Sequence, residues 1–532
     1  MYFKSKSLCE YLNQYQKIII YGTGNYAHAI YPQLVKAGLK KKILCFTQTR
    51  SDGRSFIDGI PVLNVETLVW NESECVVLVA VSKLYMEEIS KGLVGNINRN
   101  IVFLTDYQQS AENFSNLTSF QEYCIAIADW YVETGKGEYE KEAIARELLS
   151  RGEQAGNNKT LNLVVMICGN ISARTTKIAG ALTRKNFEVI ILEYSQIRNT
   201  WFLKELDNIK IIRCSCIEEL FFNILQYDPL VYFYEPRWGD CFWGEILLKQ
   251  KQYFGKIIVS LYDVLNDGYC NETEAQLKTE RYALENSDGI VWRWFSKDYL
   301  EKKGFVFQGR SIQFLDYCSH ENRQLDITYD SDSDIIKLCV VVGYGDNYVE
   351  RRLYPAQYSV WARIEEILEK IGNRSDCILH FYSGSLNNEN IKRCVYFEQQ
   401  YDNFKFFLGT EHNELLRKLT DYDFGCLLYT DGEEPLDEDI VEYYKGSYHR
   451  NGISNVFFDY IGSGVPVITT FATKMWEYLA DYDIVIKMRL SDLDMEFLKQ
   501  NRTYYKERVK EAAKELDIDN HISRLIGFFK EV

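Results

Sequence analysis

The sequence predicts an α/β protein made of three doubly wound parallel-sheet modules in series. Short apolar runs of strand length, such as KIIIY and LNLVVMIC, alternate with amphipathic stretches of helical spacing along most of the chain. That alternation yields a parallel sheet covered on both faces. At 532 residues the chain exceeds what one core can hold. Hydrophobic residues make up 46% and aromatics 14%, which fills several cores and is far from a disordered composition.

Charge and cysteine usage then exclude whole classes. With 76 acidic against 61 basic side chains the net charge is −15, which rules against nucleic acid as a partner and limits membrane contact to the periphery. No run approaches the roughly 18 apolar residues of a membrane span, and MYFKSKSLCEYLNQYQK lacks the apolar core of a signal peptide. The 14 cysteines lie scattered in apolar segments with no CxxC pair, which reads as buried reduced thiols in a cytoplasmic protein.

Residues 1–108 are expected to form the first module. KIIIYGTGNYAHAIYPQLVKAG is a strand, a Gly22-Thr-Gly24 turn and a helix ended by Gly38. KILCFTQ, CVVLVAVS and NIVFLTD add strands, with a turn around Asp52-Gly53. The glycines match a dinucleotide fingerprint with Ala27 in third place. NAD binding also calls for an acid closing the second strand, where this chain has Thr47 and Gln48. Residues 109–158 have helical spacing and a polar tail, and are expected to be a helical connector.

The second module covers residues 159–325. Strands are expected at LNLVVMIC, EVIILEYS, KIIRCSC, LVYFYEP, KIIVSLY, GIVWRW and IQFLDY, with helices at 175–185, 218–226 and 273–285. In an open parallel sheet, ligands sit outside the carboxyl ends of the strands. SLYDVLND therefore puts Asp263 and Asp267 at that edge. The loop GNISARTT, with Gly169, Asn170 and Arg174, could cradle an anion. The polar run SHENRQLDITYDSDSD (319–334) reads as a linker.

The third module covers residues 326–532, with strands at IKLCVVV, DCILHFYSG, FKFFLGT and DFGCLLY and a closing helical stretch from Asp492. Its distinctive segment is NGISNVFFDYIGSGVPVITT (451–470). Ser454-Asn455 is a good N-cap pair, an amphipathic run follows, Gly462-Ser-Gly464 stops it, and a Val-Pro-Val-Ile strand begins at once. A helix start of this kind presents unpaired amides and a positive dipole end, which suits a diphosphate. No metal is expected. The acidic run at 431–442 is a solvated face, and Asp330, Asp332 and Asp334 mimic a calcium loop but have Ile335 where it needs Gly. Of the histidines, His412 and His449 fall nearest the expected crevice.

Asp459-Tyr-Ile-Gly-Ser-Gly-Val-Pro-Val-Ile468 resembles the donor-site segment of GT-B glycosyltransferases, Glu-(Ala/Tyr)-x-x-x-Gly-x-Pro-Val-Ile, with Asp for Glu. The blocks KLCVVVGYGDN, DCILHFYSG and NFKFFLGTEHNELLRKLTDYDFGCLLY are similar to preceding blocks of that half in the same order, and the resemblance spans roughly residues 160–530. It implies three Rossmann-like domains, the last two forming a GT-B pair, and a nucleotide-sugar donor used as substrate with no metal or other cofactor. It further implies that Ser454 and Asn455 hold the donor diphosphate and Asp459 the ribose hydroxyls. Tyr344 and Gly345 would line the phosphate side, with Gly384 and Glu411 near the nucleotide. Asn451 and Val456 depart from the Glu and Lys of many relatives, leaving Arg351, Arg352 or Lys445 to supply a cation. The acceptor implied is a saccharide, a lipid-linked glycan or a protein, in bacterial surface-glycan assembly, with Asp263 and Asp267 as base or acceptor contact and Gly169, Asn170 and Arg174 as acceptor-binding residues. CFTQTRSDGRSFIDGIPVLNVETL resembles a small Rossmann-like domain of bacterial polysaccharide enzymes, which implies nucleotide-sugar binding or homodimer formation there. Two other readings stay open: an NAD-dependent sugar-nucleotide oxidoreductase, and a catalytically silent scaffold of the same fold.

Overall fold

The computed structural model describes residues 2–3, 5–48, 55–65, 74–81, 100–104, 108–109, 114, 116–134, 140–155, 159–194, 209–236, 241–261, 264–267, 273–293, 296–323, 333–342, 360–384, 386, 388–428, 455–469, 480–488 and 490–532. Two compact units emerge: residues 1–157 with 214–227, and residues 158–213 with 228–532.

The first unit runs β1 (Tyr2–Phe3), α1 (Ser5–Leu12), β2 (Lys17–Tyr21), α2 (Asn25–Lys36), β3 (Ile43–Gln48), β4 (Phe56–Ile57), β5 (Ile60–Asn64), β6 (Cys75–Val79), β7 (Ile101–Phe103), β8 (Gln108–Gln109), α3 (Phe120–Glu133) and α4 (Lys141–Glu153). Six strands pair in the order β4-β5-β3-β2-β6-β7. All pairings are parallel except the β4–β5 hairpin. That hairpin turns at Asp58-Gly59, both with positive φ (49° and 79°), the requirement of a tight two-residue turn. The turn around Asp52-Gly53 lies outside the described residues. Gly22 has φ 117°, and a Cβ there would sit 2.7 Å from the Ala80 carbonyl oxygen, so the first turn demands glycine. Gln48 accepts a hydrogen bond from Thr23 Oγ1 at 2.8 Å, and Thr47 is fully buried with its hydroxyl on the Leu63 carbonyl.

The stretch expected as a connector folds into two packed helices. Ser119 and Glu122 close a capping box at the start of α3. α3 and α4 approach so closely that a Cβ on Gly152 would lie 2.3 Å from the Phe120 ring.

The second unit continues with β9 (Thr160–Cys168), α5 (Ala173–Arg184), β10 (Glu188–Glu193) and β11 (Lys210–Arg213). The chain then forms α6 (Ile217–Ile224), which belongs to the first unit: Phe221 stacks on Tyr123 and meets Phe114 edge-on. Back in the second unit come β12 (Pro229–Glu235), α7 (Cys241–Lys249), β13 (Ile257–Ser260), α8 (Glu274–Asn286), β14 (Gly289–Trp292), α9 (Ser296–Lys302), β15 (Arg310–Gln313) and α10 (His320–Arg323). Seven parallel strands pair as β11-β10-β9-β12-β13-β14-β15, so the winding direction reverses between β9 and β12.

Next come β16 (Ile336–Val342), α11 (Val360–Ile371), β17 (Cys377–Ser383), α12 (Asn388–Gln400), β18 (Phe404–Leu408), α13 (His412–Leu419), β19 (Phe424–Leu427), α14 (Asn455–Gly462), β20 (Val467–Thr469), β21 (Val485–Lys487), α15 (Met495–Glu515) and α16 (Ile518–Glu531). Six parallel strands pair as β18-β17-β16-β19-β20-β21, reversing between β16 and β19. The fold class is therefore the expected one: three parallel-dominated α/β sheets, the last two paired in one unit.

One core joins that pair. Val164 and Met166 of β9, Phe457 and Ile461 of α14, Val509 of α15 and Phe529 of α16 belong to a single buried cluster. Continuous apolar strands such as LVVMIC bury both faces, which is what a parallel sheet requires. α16 returns from the six-stranded sheet to the seven-stranded one, where Phe529 meets Phe233 of β12. Residues 319–323, expected at the start of a linker, are held instead: Arg184 donates to Glu321 at 2.8 Å, His320 stands 3.3 Å from Asp519, and Cys318 just before them exchanges backbone hydrogen bonds with Leu516 and Ile518 at the α15–α16 joint. The twelve cysteines whose side chains are described are free thiols, eleven of them buried. Among the described residues, no helix is long and apolar enough to cross a membrane.

Candidate functional site

The segment singled out in the third module forms the expected helix-to-strand joint. α14 ends in a Schellman motif: Gly464 adopts φ 72°, its amide bonds the Ile461 carbonyl, and the Val465 amide bonds the Tyr460 carbonyl. Pro466 follows, and its carbonyl accepts from the Gly425 amide of β19 at 3.0 Å. Tyr460 is fully buried. Its hydroxyl donates to the Cys339 carbonyl and accepts from the Val341 amide, so it pins the helix to the last turns of β16. The ring is flat against Gly425, where a Cβ would lie 2.6 Å from it. A helix that follows a parallel strand runs back along the sheet, so the first turn of α14, at Asn455, lies at the carboxyl-end side. Ser454 lies outside the described residues.

One turn into α14, Asp459 is 6% exposed and fully paired. Lys177 of α5 donates to its Oδ1 at 2.9 Å and to the Tyr317 carbonyl at 3.2 Å. His412, the first residue of α13, stands 3.3 Å from Oδ2. Burial alone would push this carboxyl up; the charges of Lys177 and His412 overcome that and hold it far below the ordinary carboxylate range. Helices from the seven-stranded and six-stranded sheets thus meet through a buried ion pair.

A second polar cluster occupies the carboxyl edge of the seven-stranded sheet at its β9/β12 reversal. Glu235 closes β12, and its Oε2 accepts from Thr175 Oγ1 at 2.9 Å. Arg174, 1% exposed, donates to Asp316 Oδ1 at 2.7 Å and to the Phe314 carbonyl at 2.9 Å. Its Nε stands 3.5 Å from Glu235 Oε1. Asp316 also accepts from Arg293 at 2.5 Å. Beside this, Glu193 at the end of β10 accepts from the Ile171 amide and pairs with Arg213. Burial pushes the Glu235 carboxyl up to about 7, with Asp316 adding to the push, against the opposing pull of Arg174, Thr175 and Arg293.

The remaining expected residues fall as follows. Gly169 is buried and Asn170 half-buried in the loop between β9 and α5. Arg174 is committed to Asp316, and an acceptor anion would have to displace that carboxylate to reach it. Gly384 follows β17 directly, and Glu411 is the exposed N-cap residue of α13. Asp263, Tyr344 and Gly345 lie outside the described residues, as do Arg351, Arg352, Lys445 and His449. Asp267 ends a short helical turn whose amides at Leu265 and Asn266 are held by buried Glu280. Sequence reasoning passed over Lys177, Glu235, Arg293 and Asp316. The last residues of LVYFYE and IQFLD carried the signal, since an acid closing an apolar strand lands at the ligand-binding edge.

Among the described residues, one grouping brings three metal-capable ligands within 4.8 Å of one another: His320, Asp517 and Asp519. Arg184 grips both oxygens of Asp519, and Asp517 caps α16 through the Asp519 amide.

No protein-family model matches the chain. No curated protein matches it either. Solved structures of GT-B glycosyltransferases are similar to it. Sucrose-phosphate synthase from Thermosynechococcus elongatus is 10% identical over 70% of this chain and 98% of its own, with a TM-score of 0.49. Anabaena HepE in complex with UDP and glucose is 9% identical over 69% of this chain and 100% of its own, at 0.46. A trehalose-6-phosphate structure from E. coli, bound with UDP-2-fluoro glucose, is 11% identical over 69% and 99%, at 0.44.

Proposed function

We propose that the chain is a cytoplasmic, metal-independent glycosyltransferase. It moves a sugar from a nucleotide-sugar donor to a saccharide, lipid-linked glycan or protein acceptor in bacterial surface-glycan assembly. The observation that supports this most is the joint at 455–469. The donor-site resemblance falls on a helix whose first turn lies at the carboxyl side of a six-stranded parallel sheet, beside the β16/β19 reversal.

In this reading the diphosphate sits on the amides opening α14, with Ser454 and Asn455. The ribose hydroxyls reach Asp459 by taking the place of His412, whose 3.3 Å contact is longer than that of Lys177. Lys177 keeps the carboxylate ionised so that it accepts from both hydroxyls. The rival oxidoreductase reading loses support where Gln48, at the position of the ribose acid, spends its amide oxygen on Thr23.

Thermal shift with UDP-, GDP-, ADP- and CDP-sugars tests the proposal. A ligand binding only the folded state at a hundred times its Kd adds about 2.7 kcal/mol, so one donor class should raise the melting temperature by several degrees. No shift with any of the four would overturn the reading.

A further inference from the structure

We propose that Glu235, at the carboxyl end of β12, takes the proton from the acceptor hydroxyl, with Ser260 of β13 holding the same hydroxyl. This rests on the transferase reading above and deepens it, assigning the acceptor half to the seven-stranded sheet.

Glu235 stands at the reversal between β9 and β12, where an open parallel sheet offers its crevice. The β12–β13 register pairs Tyr234 with Val259. One residue further along, it sets Glu235 beside Ser260, on the same face of the sheet.

Among the described residues, two polar atoms there have hydrogen-bonding capacity to spare. Ser260 is 1% exposed, and among the described residues its Oγ makes no hydrogen bond. Glu235 Oε2 is satisfied by Thr175, but among the described residues no donor bonds to Oε1. Arg174 Nε forms a long ion pair with Oε1 at 3.5 Å and, among the described residues, makes no hydrogen bond. Buried polar atoms left this way are uncommon and costly. An alcohol bound between them would satisfy both, its O–H donating to Oε1 while its oxygen accepts from Ser260 Oγ. A bound anion would satisfy Ser260 and repel Glu235, so a neutral hydroxyl of a sugar or other alcohol is the class that fits.

The charge balance leaves Glu235 able to act. Asp316 takes hydrogen bonds from both Arg174 and Arg293, and neither arginine hydrogen-bonds Glu235 in the described geometry. Its carboxyl, raised to about 7 by burial, is therefore matched to working pH, the optimum for a general base. In the step itself, Oε1 accepts the O–H proton as the acceptor oxygen attacks the anomeric carbon. The bond from that carbon to the diphosphate oxygen breaks, the electron pair leaves with the nucleoside diphosphate, and the proton later passes to water.

The test uses the full chain with the donor found by the thermal-shift screen and a panel of neutral mono- and disaccharides as acceptor. Glu235→Gln keeps the acceptor for Thr175 and should cut kcat by a hundredfold or more, the range of general-base catalysis, with donor Kd within about twofold. Glu235→Asp should recover part of the rate. Wild-type kcat/KM should rise with pH through a midpoint near 7 and level off above about pH 8, and the limb should vanish in Glu235→Gln. Ser260→Ala should raise acceptor KM several-fold at little cost to donor binding. A Glu235→Gln rate within threefold of wild type would overturn the assignment, as would a flat wild-type profile from about pH 5.5 to 8. That profile needs no variant to fold. Absence of donor binding by the wild type would instead sink the transferase reading itself.

Discussion

Lys177 and Asp459 lie 282 residues apart in the chain and 2.9 Å apart in space, both almost wholly buried. One sits on the first helix of the seven-stranded sheet, the other on the helix before β20. Each is costly to bury alone and tolerable only in the other's company. Removing the lysine by Lys177→Met leaves a buried carboxylate facing, among the described residues, only His412, and should cost about 3–5 kcal/mol in urea unfolding. The double variant Lys177→Met/Asp459→Leu should regain most of that loss, since an apolar pair of similar volume needs no desolvation. A single-variant cost below about 1 kcal/mol would show that the pair contributes no more than a surface salt bridge. Because the Asp459 carboxyl is held down, its contribution is present across neutral pH and disappears only in strong acid.

Gly425→Ala should be more damaging than its size suggests. The new methyl would lie 2.6 Å from the Tyr460 ring, which cannot retreat because its hydroxyl serves both Cys339 and Val341. Overpacking a rigid site of this kind costs about 1–3 kcal/mol. If donor binding depends on the position of α14, donor affinity should fall as well. Calorimetric melting and donor titration on the same sample check both, and an unperturbed melt would mean the ring moves freely.

Chelation should change nothing. At the His320–Asp517–Asp519 grouping the competing cation is already present: Arg184 bonds both Asp519 oxygens at 3.1 and 2.9 Å. The Asp517 carboxylate is engaged as the cap of α16. A divalent ion would have to displace the arginine and uncap the helix. Turnover and melting temperature should therefore be equal with EDTA and with millimolar magnesium, manganese or zinc. A rise of several degrees with any one of them would mean that the ion outcompetes Arg184.

Much of the fold can be read from local pattern, because a strand buried on both faces shows as an unbroken apolar run whatever lies beside it. LNLVVMIC, LVYFYE and IKLCVVV are of this kind. The α14–β20 joint is equally legible, since Gly464 and Pro466 are chosen by backbone geometry within four residues. The site is a different matter. Arg174 in a loop next to glycine looks like an anion ligand, and only the arrival of Asp316, 142 residues later, turns it into a buried structural charge. Lys177 looks like the solvated side of an amphipathic helix until α14 covers it. The helix at 217–224 reads as part of the second module, yet its aromatic residues complete the first unit through Phe114 and Tyr123. Long-range pairing is invisible to periodicity, and most of the polar contacts described here are long-range.

Acid should destabilise the second unit through His380. Its ring lies in β17 with Nδ1 2.6 Å from the Tyr422 hydroxyl, which also meets the Tyr382 hydroxyl at 2.7 Å. Burial, then the charges of Lys405 on β18 and Lys337 on β16, push its pKa down to about 4. In the unfolded chain the ring takes up its proton near pH 6.5. The unfolded state therefore holds more protons between these values, and the stability that a neutral His380 allows is complete above about pH 6.5 and lost as pH falls towards 4. Substituting glutamine removes the titration while leaving a hydrogen-bonding group for Tyr422. The difference in urea midpoint between wild type and His380→Gln should favour wild type at pH 7 and shrink or reverse by about pH 4.5. A difference independent of pH would show that the folded ring accepts its proton as easily as the unfolded one, and that its burial in β17 does not exclude the charge.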